Sequence, residues 1–156
     1  MFYVYEMRYD KESVTPARID CVPFCDKVFE QQKDIYKYSY NEAFYEMRKA
    51  LDVRPYEWFS EGGAKLVMKP GVFVLIENNE LIGSVGCFAN EIDDLFVCSP
   101  YRKKGYGREL LIWAMNCIRR QGFNEIVLHV AEWNGNAVQM YLDQGFEIAG
   151  KELIEQ

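Results

Sequence analysis

Residues 95–108, with the sequence LFVCSPYRKKGYGR, decide how this chain folds and what it binds. A hydrophobic strand passes through a basic loop with two glycines and continues directly into a helix. That helix has the clearest pattern in the chain, because its apolar residues recur at offsets 0, 1, 4, 7 and 8 between Leu110 and Ile118. The order of strand, glycine-containing loop and helix is typical of sites that bind anionic groups.

The start of this helix offers several donors to an anion. Its first-turn N–H groups have no partner within the helix, the helix dipole places partial positive charge there, and Gly105 and Gly107 carry no side chain that would hold a phosphate away. Four basic side chains add charge in a chain of net charge −6: Arg102, Lys103, Lys104 and Arg108. A solvated basic turn without a ligand remains the alternative. The P-loop pattern is missing, and Leu110 stands where the dinucleotide pattern needs its third glycine.

Length and composition limit the classes of protein to which the chain can belong. Its 156 residues, 49% of them hydrophobic, predict a single domain over residues 1–156. The longest uncharged stretches, 81–90 and 133–142, have ten residues each and are too short to span a membrane. Glu6 and Asp10 leave no room for a secretory signal, so we expect a cytoplasmic protein. The net charge of −6 argues against nucleic acid as a partner.

The cysteines do not form a metal-binding pattern. The chain has five cysteines, of which Cys21 and Cys25 are the only close pair, and His129 is its only histidine. We therefore expect no metal site and interpret the cysteines as reduced thiols that pack as small hydrophobic residues.

The remaining segments alternate between strand and helix patterns. Strands are predicted at 1–8, 72–76, 81–88, 92–98 and 126–130, and from Phe146 onward. Helices are predicted from Pro23 to about Lys33, from Ser39 to a point before Pro55, after Gly105, and from Asn134 through Tyr141. This order indicates an α/β protein with a mixed sheet and helices on both faces.

Two signatures in the second half of the chain resemble the GCN5-related N-acetyltransferase (GNAT) family. The first is Arg-x-x-Gly-x-Gly at 102–107, and the second is Asn134-x-x-Ala137-x-x-x-Tyr141-x-x-x-Gly145-Phe146. The resemblance covers about residues 73–150. It implies the GNAT-like acyl-CoA N-acyltransferase fold, whose central sheet is mixed, mostly antiparallel, and splayed at the cofactor site.

The resemblance also implies an activity and a set of cofactor contacts. Members of the family transfer an acetyl group from acetyl-CoA directly to a primary amine of a small molecule or peptide. The pantetheine arm would lie beside strand 92–98, where the N–H of Val97 would polarise the thioester carbonyl, and the glycine loop would bind the pyrophosphate. The residues implied to bind the cofactor are Leu95, Phe96, Val97, Arg102, Lys103, Lys104, Gly105, Tyr106, Gly107, Arg108, Asn134, Ala137 and Tyr141.

The acceptor amine must lose a proton before it attacks, since an alkylamine with a pKa near ~10 is mostly protonated at neutral pH. Glu91 and Asp93 are the candidate bases, and their spacing places both on one face of a strand. Asp94 would point to the other face unless a bulge shifts the register. The resemblance favours Glu91, which matches the base of the histone-acetylating members. Ordered water as the base, and solvated carboxylates near a turn, remain alternatives.

Other residues are assigned to acid catalysis and substrate selection. The resemblance implies that Tyr141 protonates the departing CoA thiolate, whereas His129 is interpreted as a core or sheet-face histidine. Aromatic residues of the N-terminal helices and of the loop from Tyr56 to Gly63 are expected to select a cationic amine. They are Tyr36, Tyr38, Tyr40, Phe44, Tyr45, Tyr56, Trp58 and Phe59.

The C-terminus departs from the family pattern, because a further strand usually follows the one after Gly145-Phe146. We expect that strand to be absent, shortened or supplied by a partner subunit, and an open sheet edge leaves room for a homodimer. Two other functions stay open: a catalytically silent acyl-CoA-binding sensor or interaction subunit, and an interaction domain whose basic loop binds anions without selectivity.

Overall fold

Strands and helices alternate through the part of the chain that the computed structural model describes, which is residues 1–54, 56–57 and 70–155. The strands are β1 (Phe2–Tyr9), β2 (Val22–Pro23), β3 (Val72–Glu77), β4 (Glu80–Phe88), β5 (Glu91–Val97), β6 (Ile126–Ala131) and β7 (Glu147–Ile154). The helices are α1 (Asp26–Ala50), α2 (Tyr106–Arg120) and α3 (Gly135–Gln144), and a 3-10 turn at Ser99–Tyr101 precedes α2.

All described strands join one sheet with the order β2-β3-β4-β5-β6-β1-β7. Neighbouring strands are antiparallel except β5 and β6, which are parallel. The β3–β4 hairpin turns at Asn78 and Asn79, which adopt positive φ angles of 52° and 63°, and the β4–β5 hairpin turns at Ala89 with φ 53°. The predicted mixed, mostly antiparallel sheet is confirmed.

The N-terminal strand lies between β6 and β7. It pairs antiparallel with both, so that Val4 lies opposite Ala131 on one side and Glu152 on the other. The strand after Gly145-Phe146 is therefore paired with a strand of the same chain. Among the described strands β7 forms the outer edge, and most of its residues are exposed on both faces.

The prediction of two separate N-terminal helices is wrong, because α1 is continuous from Asp26 to Ala50. The apolar pattern lapses at Gln32, yet this glutamine is buried and donates a hydrogen bond of 2.9 Å from Nε2 to the carbonyl oxygen of Asn79. Ser39, predicted as the start of the second helix, is buried in the middle of α1. The first helix also starts later than predicted, since Pro23 belongs to β2.

The sheet carries α1 on one face, and its core on that face is aromatic. The Tyr36 ring stacks on Phe24 at a centroid distance of 4.3 Å and meets the edge of Phe96 at 5.2 Å. The Tyr36 hydroxyl shares a buried hydrogen bond of 3.0 Å with Ser84 Oγ on β4. These contacts fix the long helix against the strands that lead to the predicted site.

The opposite face of the sheet carries α2 and α3. The buried residues of α2, including Leu110, Leu111 and Ile118, pack against Leu75, Val85 and Leu128 of the strands, and α3 adds residues at their margin. The predicted helix after the glycine loop is confirmed, and its burial on the sheet holds its N-terminus at the end of β5.

The sheet opens between β5 and β6. These two strands pair only at Glu91 and Val127. The Val127 N–H donates to the Asn90 carbonyl at 3.0 Å, and Asn90 Nδ2 donates to the Glu125 carbonyl at 3.1 Å, which fastens this one end. Beyond it the strands diverge, so the predicted splay is confirmed.

Packing across β4 leads to a prediction about stability. A Cβ added at Gly83 would lie 2.6 Å from the Phe96 carbonyl oxygen and 2.6 Å from a Leu110 methyl group. We expect Gly83→Ala to lower the free energy of unfolding by about 1–3 kcal/mol because the strands must separate to admit the methyl group. The matched control is Gly135→Ala, whose Cβ would meet nothing within 4 Å. Urea denaturation of both variants makes the comparison, and equal stabilities would contradict the prediction.

Candidate functional site

The edge of β5 that faces the opening presents backbone groups. The Cys98 N–H donates to the Ile82 carbonyl of β4 at 2.8 Å, so the N–H and C=O of Val97, one residue earlier, point to the opposite edge. Leu95, two residues before Val97, has the same orientation by alternation. Phe96 is paired with Ser84 on β4, and its side chain is buried against α1. An extended ligand in the opening would therefore meet Leu95 and Val97 before Phe96.

A cradle for an anion lies where the loop after β5 enters α2. Gly105 is the N-cap of α2 and adopts a φ of 88°, which favours glycine. A Cβ at Gly107 would make only ordinary contacts, at 3.5 Å to Met140 Sδ and 3.8 Å to Val97 Cγ2. Internal packing therefore does not require glycine at 107. Its lack of a side chain leaves space in front of the helix N-terminus, as a pyrophosphate requires.

The basic side chains of the cradle differ in their partners. Lys103 is exposed, and the Lys104 ammonium lies 5.9 Å from the centre of the Tyr101 ring. Arg108 Nε donates to Gln144 Oε1 of α3 at 3.4 Å. The Tyr106 hydroxyl donates to Glu77 Oε2 at 3.4 Å. Most of the predicted anion-binding residues thus surround the N-terminus of α2 at the surface.

Arg102 is held on the α1 side of this cradle. Its Nη2 lies 2.7 Å from Glu42 Oε1, and its Nε donates to the Val97 carbonyl at 3.0 Å. Glu42 also accepts a hydrogen bond of 2.8 Å from Ser99 Oγ. The Ser99 hydrogen bond, followed by the charge of Arg102, lowers the pKa of the Glu42 carboxyl. This contact between α1 and the loop has no counterpart in the sequence pattern.

A cavity of about 310 Å³ lies beside the opening, between β5, β6 and the second half of α1. One wall is apolar and consists of Phe44 and Met47 of α1 with Leu51, the C-cap of that helix. The polar side chains that line it are Arg48, Asp93, Asp94, His129, Trp133, Asn134 and Tyr141. The cavity therefore combines two carboxylates and a phenol with an apolar wall.

Tyr141 lies at the inner end of this cavity and is 9% exposed. Burial, followed by the charge of Asp93, raises the pKa of its phenol to about 12. A phenol in this environment keeps its proton at neutral pH and can donate it. Asn134 caps α3 and lines the same cavity, while Ala137 packs against the core one turn before Tyr141.

The two predicted base residues differ in their surroundings. Asp93 lines the cavity, but Glu91 does not, and Glu91 Oε1 lies 3.2 Å from His129 Nδ1. The register of β5 against β4 shifts next to Asp94, which adopts a φ of 49° and brings its side chain to the cavity as well. The Asp94 N–H donates to Asp93 Oδ1 at 2.8 Å. The bulge considered in the sequence is therefore present.

His129 is the polar residue of the site that the sequence analysis undervalued. It lies on the exposed face of β6 between two carboxylates, with Nδ1 3.2 Å from Glu91 and Nε2 3.7 Å from Glu6. Its location on the sheet face was one of the two predicted environments. The sequence signal for a larger role was a single polar residue in an otherwise apolar strand, five residues before the second signature begins at Asn134.

The residues predicted to select the substrate lie in different environments. Tyr36 and Tyr40 are buried in the aromatic core, while Phe44 lines the cavity. Tyr56 donates a hydrogen bond to Asp52 at the surface. Trp58 and Phe59, with the rest of the predicted loop to Gly63, lie outside the described residues. Trp133, which the sequence analysis did not single out, is 52% exposed at the cavity.

The cysteine beside the cradle is a poor candidate for a catalytic nucleophile. Cys98, beside the loop, is 1% exposed, and burial raises the pKa of its thiol, which disfavours a role as nucleophile.

Within residues 1–54, 56–57 and 70–155, no group of three or more His, Cys, Asp or Glu side chains is arranged to hold a metal ion. The helices of the same residues include none with the length and hydropathy that crossing a bilayer demands.

Comparison with known families gives a consistent result. The sequence model of the acetyltransferase (GNAT) family matches residues 26–146, which include α1, the glycine loop and α3. The chain therefore belongs to the GNAT family of acetyltransferases.

The individual relatives have low sequence identity to this chain, and each is longer than the region that it shares with it. "L-ornithine N5-acetyltransferase NATA1" of Arabidopsis thaliana is 33% identical over 57 residues, which are 36% of this chain and 25% of that protein. "Probable N-acetyltransferase san" of Drosophila melanogaster is 28% identical over 121 residues, covering 73% of this chain and 58% of that protein. The matched region thus accounts for only part of each relative.

Solved structures with the same fold come from the same family. A GNAT acetyltransferase from Colwellia psychrerythraea has a TM-score of 0.71 and 12% identity, covering 96% of this chain and 53% of that one. A GCN5-related N-acetyltransferase from Sphaerobacter thermophilus has a TM-score of 0.63 and 16% identity, covering 96% and 49%. These structures support the fold, and this chain spans about half of their length.

The buried phenol of Tyr141 generates a prediction about alkaline stability. Between about pH 10 and pH 12 an unfolded tyrosine loses its proton while Tyr141 in the folded chain keeps it, so stability falls as pH rises. We expect Tyr141→Phe to make this fall shallower by up to about 1.4 kcal/mol per pH unit. Urea denaturation at several pH values in this range measures the slope. Tyr38→Phe, at an exposed tyrosine, is the control, and equal slopes in both variants would contradict the prediction.

Proposed function

We propose that this protein transfers an acetyl group from acetyl-CoA to a primary amine of a small molecule or peptide by direct attack in a ternary complex. The observation that carries the proposal is the opening between β5 and β6, which has the cavity with Tyr141 beside it and the cradle at Gly105 and Gly107 after the end of β5. Bound acetyl-CoA supplies an acetyl group activated as a thioester.

The chain offers matching groups along this path. The cradle at the N-terminus of α2, with Lys103, Lys104 and Arg108, would bind the pyrophosphate through backbone N–H groups and positive charge. The edge groups of Leu95 and Val97 would pair with the extended pantetheine arm, and the Val97 N–H would act as a donor to the acyl oxygen. The remaining cofactor contacts that we propose are Phe96, Tyr106, Asn134 and Ala137, while Arg102 is engaged with Glu42 and the Val97 carbonyl.

The acceptor amine arrives in its protonated form, so the site must attract a cation and then remove a proton. Asp93 is the base that the geometry favours, because its carboxylate lines the cavity with Tyr141. Glu91 is instead engaged with His129 at 3.2 Å. In this mechanism Asp93 takes one proton from the ammonium, directly or through water, and the neutral amine attacks the thioester carbonyl. As the C–S bond breaks, Tyr141 Oη donates a proton to the departing sulfur, and the proton that the nitrogen loses on forming the amide restores the phenol through water.

The lining of the cavity narrows the class of acceptor. Asp93 and Asp94 would attract an ammonium group, and the wall formed by Phe44, Met47 and Leu51 would pack against an apolar arm. The named substrate of the Arabidopsis relative, ornithine, carries primary amines. A primary amine attached to an aliphatic or aromatic arm therefore fits this site better than a heavily hydroxylated amine.

The first test is calorimetric titration of the protein with acetyl-CoA, with dephospho-CoA and inorganic phosphate as controls. We expect selective binding of about one equivalent of acetyl-CoA, followed by amine acetylation in a panel of aliphatic and aromatic primary amines. Selective binding without product would favour an acyl-CoA-binding sensor. Binding no tighter than that of phosphate would contradict the acetyltransferase proposal. Sedimentation of the same sample tests for a homodimer paired along β7.

The assignment of acid and base is tested by kinetics. We expect Tyr141→Phe and Asp93→Asn each to lower kcat about 100-fold or more while leaving the affinity for acetyl-CoA nearly unchanged. Glu91→Gln is the comparison for Asp93→Asn, since both remove one charge from the same strand. A larger loss of kcat in Glu91→Gln than in Asp93→Asn would show that Glu91 is the base.

A further inference from the structure

One carboxylate joins the helix that walls the acceptor cavity to the loop that carries the anion cradle. Glu42 of α1 receives Arg102 Nη2 at 2.7 Å, Ser99 Oγ at 2.8 Å and the Tyr38 hydroxyl at 3.3 Å. Ser99 and Arg102 stand at the two ends of the turn between β5 and the glycine loop. The helix and the loop are thus linked by an ion pair and a hydrogen bond at the same side chain.

The two partners of this link lie next to the two halves of the site. Ala43 and Phe44, which follow Glu42 in α1, line the acceptor cavity. Arg102 also donates from Nε to the Val97 carbonyl at 3.0 Å, at the end of the strand edge proposed to receive the cofactor. The pair of Glu42 and Arg102 therefore connects the loop to both α1 and β5.

We propose that Glu42 is a positioning residue that couples the cofactor cradle to the acceptor wall through its ion pair with Arg102. This inference rests on the proposed function. In this arrangement Arg102 uses Nε and Nη2 to hold the loop against α1 and β5, while backbone N–H groups and the exposed lysines face the phosphates. Cofactor binding at the cradle then stabilises the second half of α1 through this link.

The direction in which Glu42→Gln changes the affinity for CoA distinguishes this role from direct phosphate binding by Arg102. If Arg102 mainly bound pyrophosphate, Glu42 would compete for it, and Glu42→Gln would tighten CoA binding by freeing the guanidinium and removing a nearby negative charge. If Arg102 instead holds the loop against α1, Glu42→Gln weakens CoA binding because the loop loses its ion pair with the helix.

The experiment is calorimetric titration of CoA into the unaltered chain and into Glu42→Gln, Arg102→Gln and the double variant. We expect each single change to weaken binding about two- to fivefold, as a partly exposed ion pair allows, and the double variant to be no weaker than the single ones. Glu46→Gln, one turn along α1, removes the same charge without these contacts and is the control. Ser99→Ala removes another donor to Glu42 and is expected to weaken binding in the same direction.

Hydrogen exchange of residues 42–51 tests the coupling itself. A purely structural role of Glu42 would leave the effect of CoA on the exchange rates of this segment unchanged. In the unaltered chain we expect saturating CoA to slow exchange in this segment, and in Glu42→Gln we expect that slowing to be lost even when CoA is saturating. Unchanged or tighter CoA binding in Glu42→Gln, additive effects in the double variant, or retained protection of 42–51 would each overturn the inference. Failure of the unaltered chain to bind CoA would instead overturn the proposed function, and this inference with it.

Discussion

The structure depends on a parallel pair of strands that is joined at one end only. Glu91 and Val127 connect β5 to β6, and Asn90 fastens that end, but farther along the backbone groups of the two strands no longer meet. Backbone N–H and C=O groups shielded from water need partners. The opening therefore has to be occupied by water or by a ligand with its own extended hydrogen-bonding groups, which is why the proposed cofactor path runs through it.

The side chains around the opening divide the chemistry between two faces of the sheet. The buried helix α2 holds its N-terminus, and with it the positive charge of the loop, at the end of β5. On the other face, α1 and the bulge at Asp94 form a cavity in which Asp93 and the Tyr141 phenol share one space. Positive charge at one end and negative charge at the other suit an anionic cofactor and a cationic acceptor that meet in the middle.

Local patterns in the sequence predicted the features that depend on neighbouring residues. The glycine loop, the helix after Gly105 and the strands at 72–76 and 81–88 depend on turn chemistry, helical spacing and apolar runs, and all are confirmed. The continuity of α1 was missed because a buried Gln32, satisfied by a carbonyl of another strand, does not look like a core residue. The partnership of Arg102 with Glu42 joins residues far apart in the chain, and no local pattern encodes it.

The position of β1 has a consequence for the order of folding. Its partners lie near the other end of the sequence, as in the hydrogen bond from the Tyr3 N–H to Glu132, which spans 129 residues. Closing so long a loop costs conformational entropy before any contact compensates for it, so this pairing forms late. During synthesis the first strand leaves the ribosome with both edges unpaired, and it waits for β6 and β7 to emerge. Until β6 and β7 have been synthesised, the unpaired edges of β1 are exposed to aggregation or to capture by chaperones.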